Sequence, residues 1–295
     1  MIKGRKIGLA LGSGSARGWA HIGVIRALEE RGIKPDIVCG TSIGAVVGGI
    51  YSGGQITEFE TWVRKLEWRD ILSLLDLSWG GGLFKGKKLL EYLSTHFQDK
   101  NFQDLEIPFG CVATDVDTGA EVWLRKGKVL EAIRGSISLP AIFTPTSWEG
   151  KWLVDGGLTN PVPVSLCRAM GADLVIAVDL NMDLLDAIPK EQKQSETNER
   201  RFLPSFWGKD LEKEFKENQD KKPGMMDIIQ KSINVMQVRI TRSRMAGDPP
   251  DVLLAPKLGY LGLMEFHRAE ETIREGKNVV DRSVELDYYF PREVD

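Results

Sequence analysis

The sequence predicts an α/β protein whose sheet begins parallel and doubly wound, and two observations carry that prediction. Strand-like and helix-like segments alternate from Ile7 to Tyr51. The apolar runs among them are only a strand's length and are bounded by turn residues, as buried parallel strands are. Ile7-Gly8-Leu9-Ala10-Leu11 is the first strand, ending in glycine and serine. From Trp19 to Arg31, Ile22, Ile25, Ala27 and Leu28 mark a helix that Gly32 stops. Pro35 to Cys39 is a second short strand. Ile43 to Tyr51 is a helix of Ala, Val and Gly, small enough to pack tightly on a sheet. Strand, helix, strand, helix is the order of a crossover-connected parallel sheet.

The later elements follow the same signals. Helices are expected at Glu58–Lys65 and Lys87–His96, with a turn at Trp79-Gly80-Gly81-Gly82 between them. Phe109–Thr114 and Ala120–Leu124 read as a strand pair around Asp117-Thr118-Gly119. Leu130–Gly135 is a short helix, Trp152–Val154 a short strand, and Leu174–Leu180 a clear strand of Val, Ile and Ala. From about residue 183 to 224 the chain turns to dense mixed charge, read as an excursion within one domain spanning 1–295. Met225, Ile229, Ile233, Met236 and Ile240 recur at helical spacing and read as core packing, with Arg239, Arg242 and Arg244 in solvent near the helix end. Val252–Ala255 is a last strand and Phe266–Val284 a last helix.

Composition narrows the class. The chain has 295 residues, enough for one large α/β domain, and 42% apolar with 27% charged residues is ordinary for a soluble globular protein. A net charge of −3 gives no reason to expect a nucleic-acid partner. Cys39, Cys111 and Cys167 are scattered and odd in number, which argues against a disulfide framework or a metal site and fits a reducing compartment. Cys39 reads as a small buried hydrophobe. No stretch approaches the ~18 apolar residues of a membrane span. The expectation is a cytoplasmic protein, at most peripheral to a membrane.

Gly40-Thr41-Ser42-Ile43-Gly44 is Gly-x-Ser-x-Gly between a strand and a helix. A serine on such a turn projects its hydroxyl beyond the sheet, flanking glycines relieve crowding, and the helix N-terminus favours developing negative charge. The alternative is a tight turn in which Ser42 caps the helix. A second glycine-rich turn, Gly12-Ser13-Gly14-Ser15-Ala16-Arg17-Gly18, opens the first helix. Its amides suit either a phosphate or an oxyanion, although glycine is missing from the positions a dinucleotide loop requires. Arg17 is read equally as ordering the loop, attracting an anionic head group, or making a surface salt bridge. None of the three histidines, His21, His96 and His267, stands at a strand end, so a Ser-His-Asp triad lacks candidates. Asp155-Gly156-Gly157 ends a short strand before Asn160-Pro161-Val162-Pro163 and offers a carboxylate instead. Such an aspartate needs a fixed bond to Ser42 and a partly dry site to be basic enough.

The glycine-rich turn, "GTSIGA" and "DGG", in this order and spacing, resemble the patatin-like phospholipase family from Lys6 to about Asp179. The resemblance implies a three-layer α/β/α fold with a mainly parallel sheet, related to cytosolic phospholipase A2. It implies a serine acyl-hydrolase with Ser42 as nucleophile and Asp155 as base. Backbone amides of Gly14, Ser15 and Ala16 would form the oxyanion hole, with Gly12, Arg17, Gly18, Gly40, Gly44, Gly156 and Gly157 in support. The substrate would be a lipid or fatty-acyl ester, and no metal or organic cofactor is required. Ser13 and Ser15 depart from the family loop, which often has glycine there, so the donor depends on whether the backbone needs positive φ.

Two regions are candidates for lipid contact. Leu72–Phe84, followed by Lys85, Lys87 and Lys88, reads as a core helix and turn or as an apolar rim. Phe202, Phe206, Trp207 and Phe215 suit a lid or a surface loop. Two other functions remain open: a nucleotide- or phosphate-binding module with Asp36 toward a ribose, and a regulatory partner-binding protein on the same fold.

Overall fold

In the computed structural model the described residues are 4–70, 86–96, 98–184 and 224–291. The turn at 79–82, the stretch 72–84 with Lys85, and the aromatics between 202 and 215 lie outside them.

The first strand, β1 (Ile7–Leu11), has the expected bounds and pairs in parallel with β2 (Ile37–Thr41) on one side and β7 (Leu174–Val178) on the other. β3 (Phe109–Asp115) continues the parallel set beyond β2, and β8 (Val252–Leu254) beyond β7. Antiparallel strands β4 (Glu121–Leu124), β5 (Thr146–Trp148) and β6 (Lys151–Asp155) complete an eight-stranded sheet ordered β5-β6-β3-β2-β1-β7-β8, with β4 on β3. β5 was not expected: three residues are too few to show a period.

Successive strand residues face opposite ways. Leu9, Leu11, Val38, Cys111, Ile176 and Val178 therefore enter one buried cluster, and Ala10, Cys39, Val112, Val175 and Ala177 another. The first cluster is covered by α1 (Ala20–Glu30), α2 (Ile43–Ser52), α3 (Ile56–Val63), α4 (Lys87–His96), α5 (Val129–Ser136) and α8 (Ala269–Asp281). α6 (Val164–Ala169) covers the second, and Met245 of α7 (Met225–Gly247) packs against it. That is the α/β/α arrangement. Cys39 is a buried strand residue, as expected.

Three expectations are corrected. The last helix, expected over Phe266–Val284, is α8 alone and ends at Asp281; an unexpected helix, α9 (Val284–Tyr289), follows where the Ser283 hydroxyl accepts the Leu286 N–H at 3.2 Å. On α7, Ile233, Gln237, Val238 and Thr241 are buried, while Met236 is 47% exposed and Ile229 and Ile240 are half-buried. Polar contacts at Gln237, described below, set this rotation. Arg244 is not simply solvated: it donates to Thr159 O at 2.7 Å and pairs with Glu121 at 2.5 Å.

Candidate active site

Ser42 follows β2 directly, with φ 57° and ψ −123°. Positive φ strains a residue that carries a Cβ and persists only where the surroundings enforce it. Here Gly44 allows the close turn, since a Cβ on it would lie 2.1 Å from Leu11 O, and Gly40 backs onto the same turn. The Ser42 N–H donates to Ser136 Oγ at 2.9 Å, and that hydroxyl donates to Val112 O at 2.6 Å. Thr41 Oγ1 is fixed on Asn160 O at 2.9 Å. Although Ser42 stands at the N-cap position of α2, its side chain makes no capping bond. Its Oγ instead donates to Asp155 Oδ2 at 2.6 Å.

Asp155 ends β6 opposite Ala113 and is fully buried. Its N–H donates to Ser138 O at 3.0 Å, and its Oδ1 accepts the Gly157 N–H at 2.7 Å within the Gly156-Gly157 turn. Burial pushes its carboxyl from the ordinary 3.8 up to about 6, against the lowering effect of the Ser42 and Gly157 hydrogen bonds. One segment, Ser136–Ser138, thus holds the backbones of both residues.

The glycine-rich turn lies at the end of β1. Gly12 N–H donates to Val178 O, Ser13 N–H to Pro161 O, Ala16 N–H to Leu263 O and Arg17 N–H to Gly14 O. The Ala16 amide is therefore occupied, contrary to the expectation of three donors. The Gly14 and Ser15 amides have no acceptor among the described residues. Ser15 adopts φ 52°, so the position does need the left-handed region, and its hydroxyl bond to Leu263 O at 2.6 Å helps to hold it there. Gly18 packs on Ile43, joining the turn to α2.

Arg17 is 1% exposed, and its Nε donates to Gly14 O at 3.1 Å. It orders the loop, and burial excludes the head-group and surface-pair readings. Desolvation pushes its guanidinium down to about 10, with Asp183 and Asp179 pulling it up. His21 donates Nε2–H to Gly12 O at 2.8 Å, and burial pushes it down to about 4, so the ring is neutral. His267 meets Trp68 edge-on, and the His96 side chain lies outside the described set. Among the described residues, no histidine bonds Ser42 or Asp155, and no cluster of metal-ligating side chains forms. Asp36 accepts the Ile7 N–H at 2.8 Å, at the opposite end of β1 from the loop, so it cannot serve a ribose there.

Sequence reasoning missed Ser136, Ser138, Asn181 and Gln237. Ser13 Oγ and Asn181 Nδ2 both donate to Gln237 Oε1 at 3.3 Å, tying the loop to the end of β7 and to α7. Gln237 is an amide within a helix of recurring aliphatic residues, but Gln230 and Asn234 are amides there too, so the sequence does not single it out. The serines sit in an unremarked Gly-Ser-Ile-Ser run.

Comparisons with known sequences agree on a family. A family model described as patatin-like phospholipase matches residues 9–168. The chain is 32% identical to an NTE family protein of Mycobacterium tuberculosis, over 95% of this chain and 91% of that one. It is 36% identical to patatin-like phospholipase domain-containing protein 6 of Homo sapiens, over 61% of this chain and 14% of that much longer one. The crystal structure of VipD from Legionella pneumophila aligns with a TM-score of 0.46 at 13% identity, covering 99% of this chain and 81% of that one. With the glycine-rich turn, the serine elbow and the Asp-Gly-Gly turn assembled at one end of the sheet, the chain belongs to the patatin-like phospholipase family.

Proposed function

We propose that the protein is a serine acyl-hydrolase acting on lipid or fatty-acyl esters, with Ser42 as nucleophile and Asp155 as general base. The 2.6 Å contact between Ser42 Oγ and a buried carboxylate carries this reading. Family membership supports the lipid substrate class.

In the first half-reaction Asp155 takes the Ser42 proton as Oγ attacks the ester carbonyl. The Gly14 and Ser15 amides would face the oxyanion, with the free N–H groups of the first turn of α2 nearby. Asp155 then returns the proton to the leaving alcohol, and an acyl-Ser42 remains. In the second, Asp155 takes a proton from water, the oxygen attacks the acyl carbonyl, and Ser42 leaves with the proton. A fatty acid is released.

Hydrolysis of a graded p-nitrophenyl ester series and labelling by a fluorophosphonate test the assignment. Ser42→Ala is expected to abolish both, and Asp155→Asn to lower turnover by about 10²–10⁴. Turnover of Ser42→Ala equal to wild type would refute it.

A further inference from the structure

We infer that the solvent face of α7 docks the protein on an anionic lipid surface. The inference rests on the lipid-ester reading for its biological sense, but its physical basis is separate. Ile228, Lys231, Val235 and Arg239 are three or four residues apart and so form one stripe along the helix. Ile228 is 50% and Val235 42% exposed, and Met236 beside them is 47% exposed. Lys231 and Arg239 are exposed, and no carboxylate pairs with either among the described residues. The helix carries Lys231, Arg239, Arg242 and Arg244 against one acidic residue, Asp227, in a chain whose net charge is −3, and of these cations Arg244 is paired with Glu121.

A surface helix ordinarily turns its large apolar side chains inward. Ile233 and Val238 do so here, beside the buried Gln237 and Thr241, but Ile228, Val235 and Met236 face out. Apolar side chains interleaved with cations suit the head-group boundary of an anionic bilayer, the apolar groups entering the acyl region and the cations meeting phosphate. A second copy is a poorer occupant, because a symmetric contact brings the same cations together. Gln237 holds Ser13 in the glycine-rich turn. A bilayer on the outer face would thus lie about one helix diameter, ~10 Å, from that turn.

Co-sedimentation with phosphatidylcholine vesicles, with and without phosphatidylglycerol, tests this on the full chain. Wild type and Ser42→Ala are expected to bind the anionic vesicles equally, and binding should weaken at high salt. Lys231→Glu/Arg239→Glu should weaken binding at least roughly 30-fold, and Val235→Ser/Met236→Ser should also weaken it. Turnover of a soluble short-chain ester should be unchanged in both double variants, which shows that they fold. Variants that bind like wild type, or a wild type with no preference for anionic vesicles, would overturn the proposal. So would loss of a dimer in the variants with vesicle binding intact. If Ser42→Ala still hydrolyses esters while the vesicle results hold, the catalytic assignment falls and the docking surface stands.

Discussion

An aspartate in water is too weak a base for a serine hydroxyl, and Asp155 departs from that state through burial alone. Its carboxyl at about 6 is ionised at neutral pH and still close enough to ambient pH to take a proton. On a soluble ester, kcat/KM is expected to fall about tenfold per pH unit below pH ~6. A profile flat down to pH 4 would mean that another group is the base. In the proposed dyad Ser136 would be a positioning residue, since it accepts the Ser42 N–H and donates to Val112 O. Ser136→Ala leaves both groups buried without that partner, a cost of about 1–3 kcal/mol. We expect a lower urea midpoint and a drop in kcat with little change in KM, partly restored by Ser136→Thr. Unchanged kcat would show that Gly44 and Thr41 suffice to hold the turn.

α1 and α8 meet backbone to backbone. A Cβ on Gly23 would lie 1.9 Å from Ile273 O, and one on Gly276 would lie 2.0 Å from Ala20 O. Gly276→Ala must push the helices apart and should cost about 1–3 kcal/mol, read from chemical denaturation. A stability gain, as expected for glycine-to-alanine in an unobstructed helix, would contradict that contact. Elements with strong local signals were legible: β1 and α4 have the predicted bounds. β5 was hidden because Thr146–Trp148 is too short for a pattern. The rotation of α7 was misread because aliphatic spacing ignores Gln237, whose bond to the glycine-rich turn draws it inward.

The cost of preparing Asp155 falls on the unfolding equilibrium of the whole molecule. The native state holds its proton up to about pH 6, whereas the unfolded chain releases it near 3.8. Between these values unfolding releases a proton, so this stabilisation is present below pH 3.8 and is lost as pH rises toward 6. The loss is about 2–3 kcal/mol. Asp155→Asn should therefore gain in thermal stability relative to wild type as pH rises from 4 to 7, and a constant Tm difference would contradict this. The sequence by itself determined the opening strand-helix-strand-helix order, the elbow turn at Ser42 and the Asp-Gly-Gly turn. Those depend on neighbours in the chain: apolar period, glycine and proline. Only the tertiary structure decided that Leu263 occupies the Ala16 amide, that Arg17 is buried, that Ser136 holds the Ser42 N–H, and that burial pushes the Asp155 carboxyl up to about 6. Each of these rests on a partner or a burial supplied by segments remote in sequence, which no local window contains.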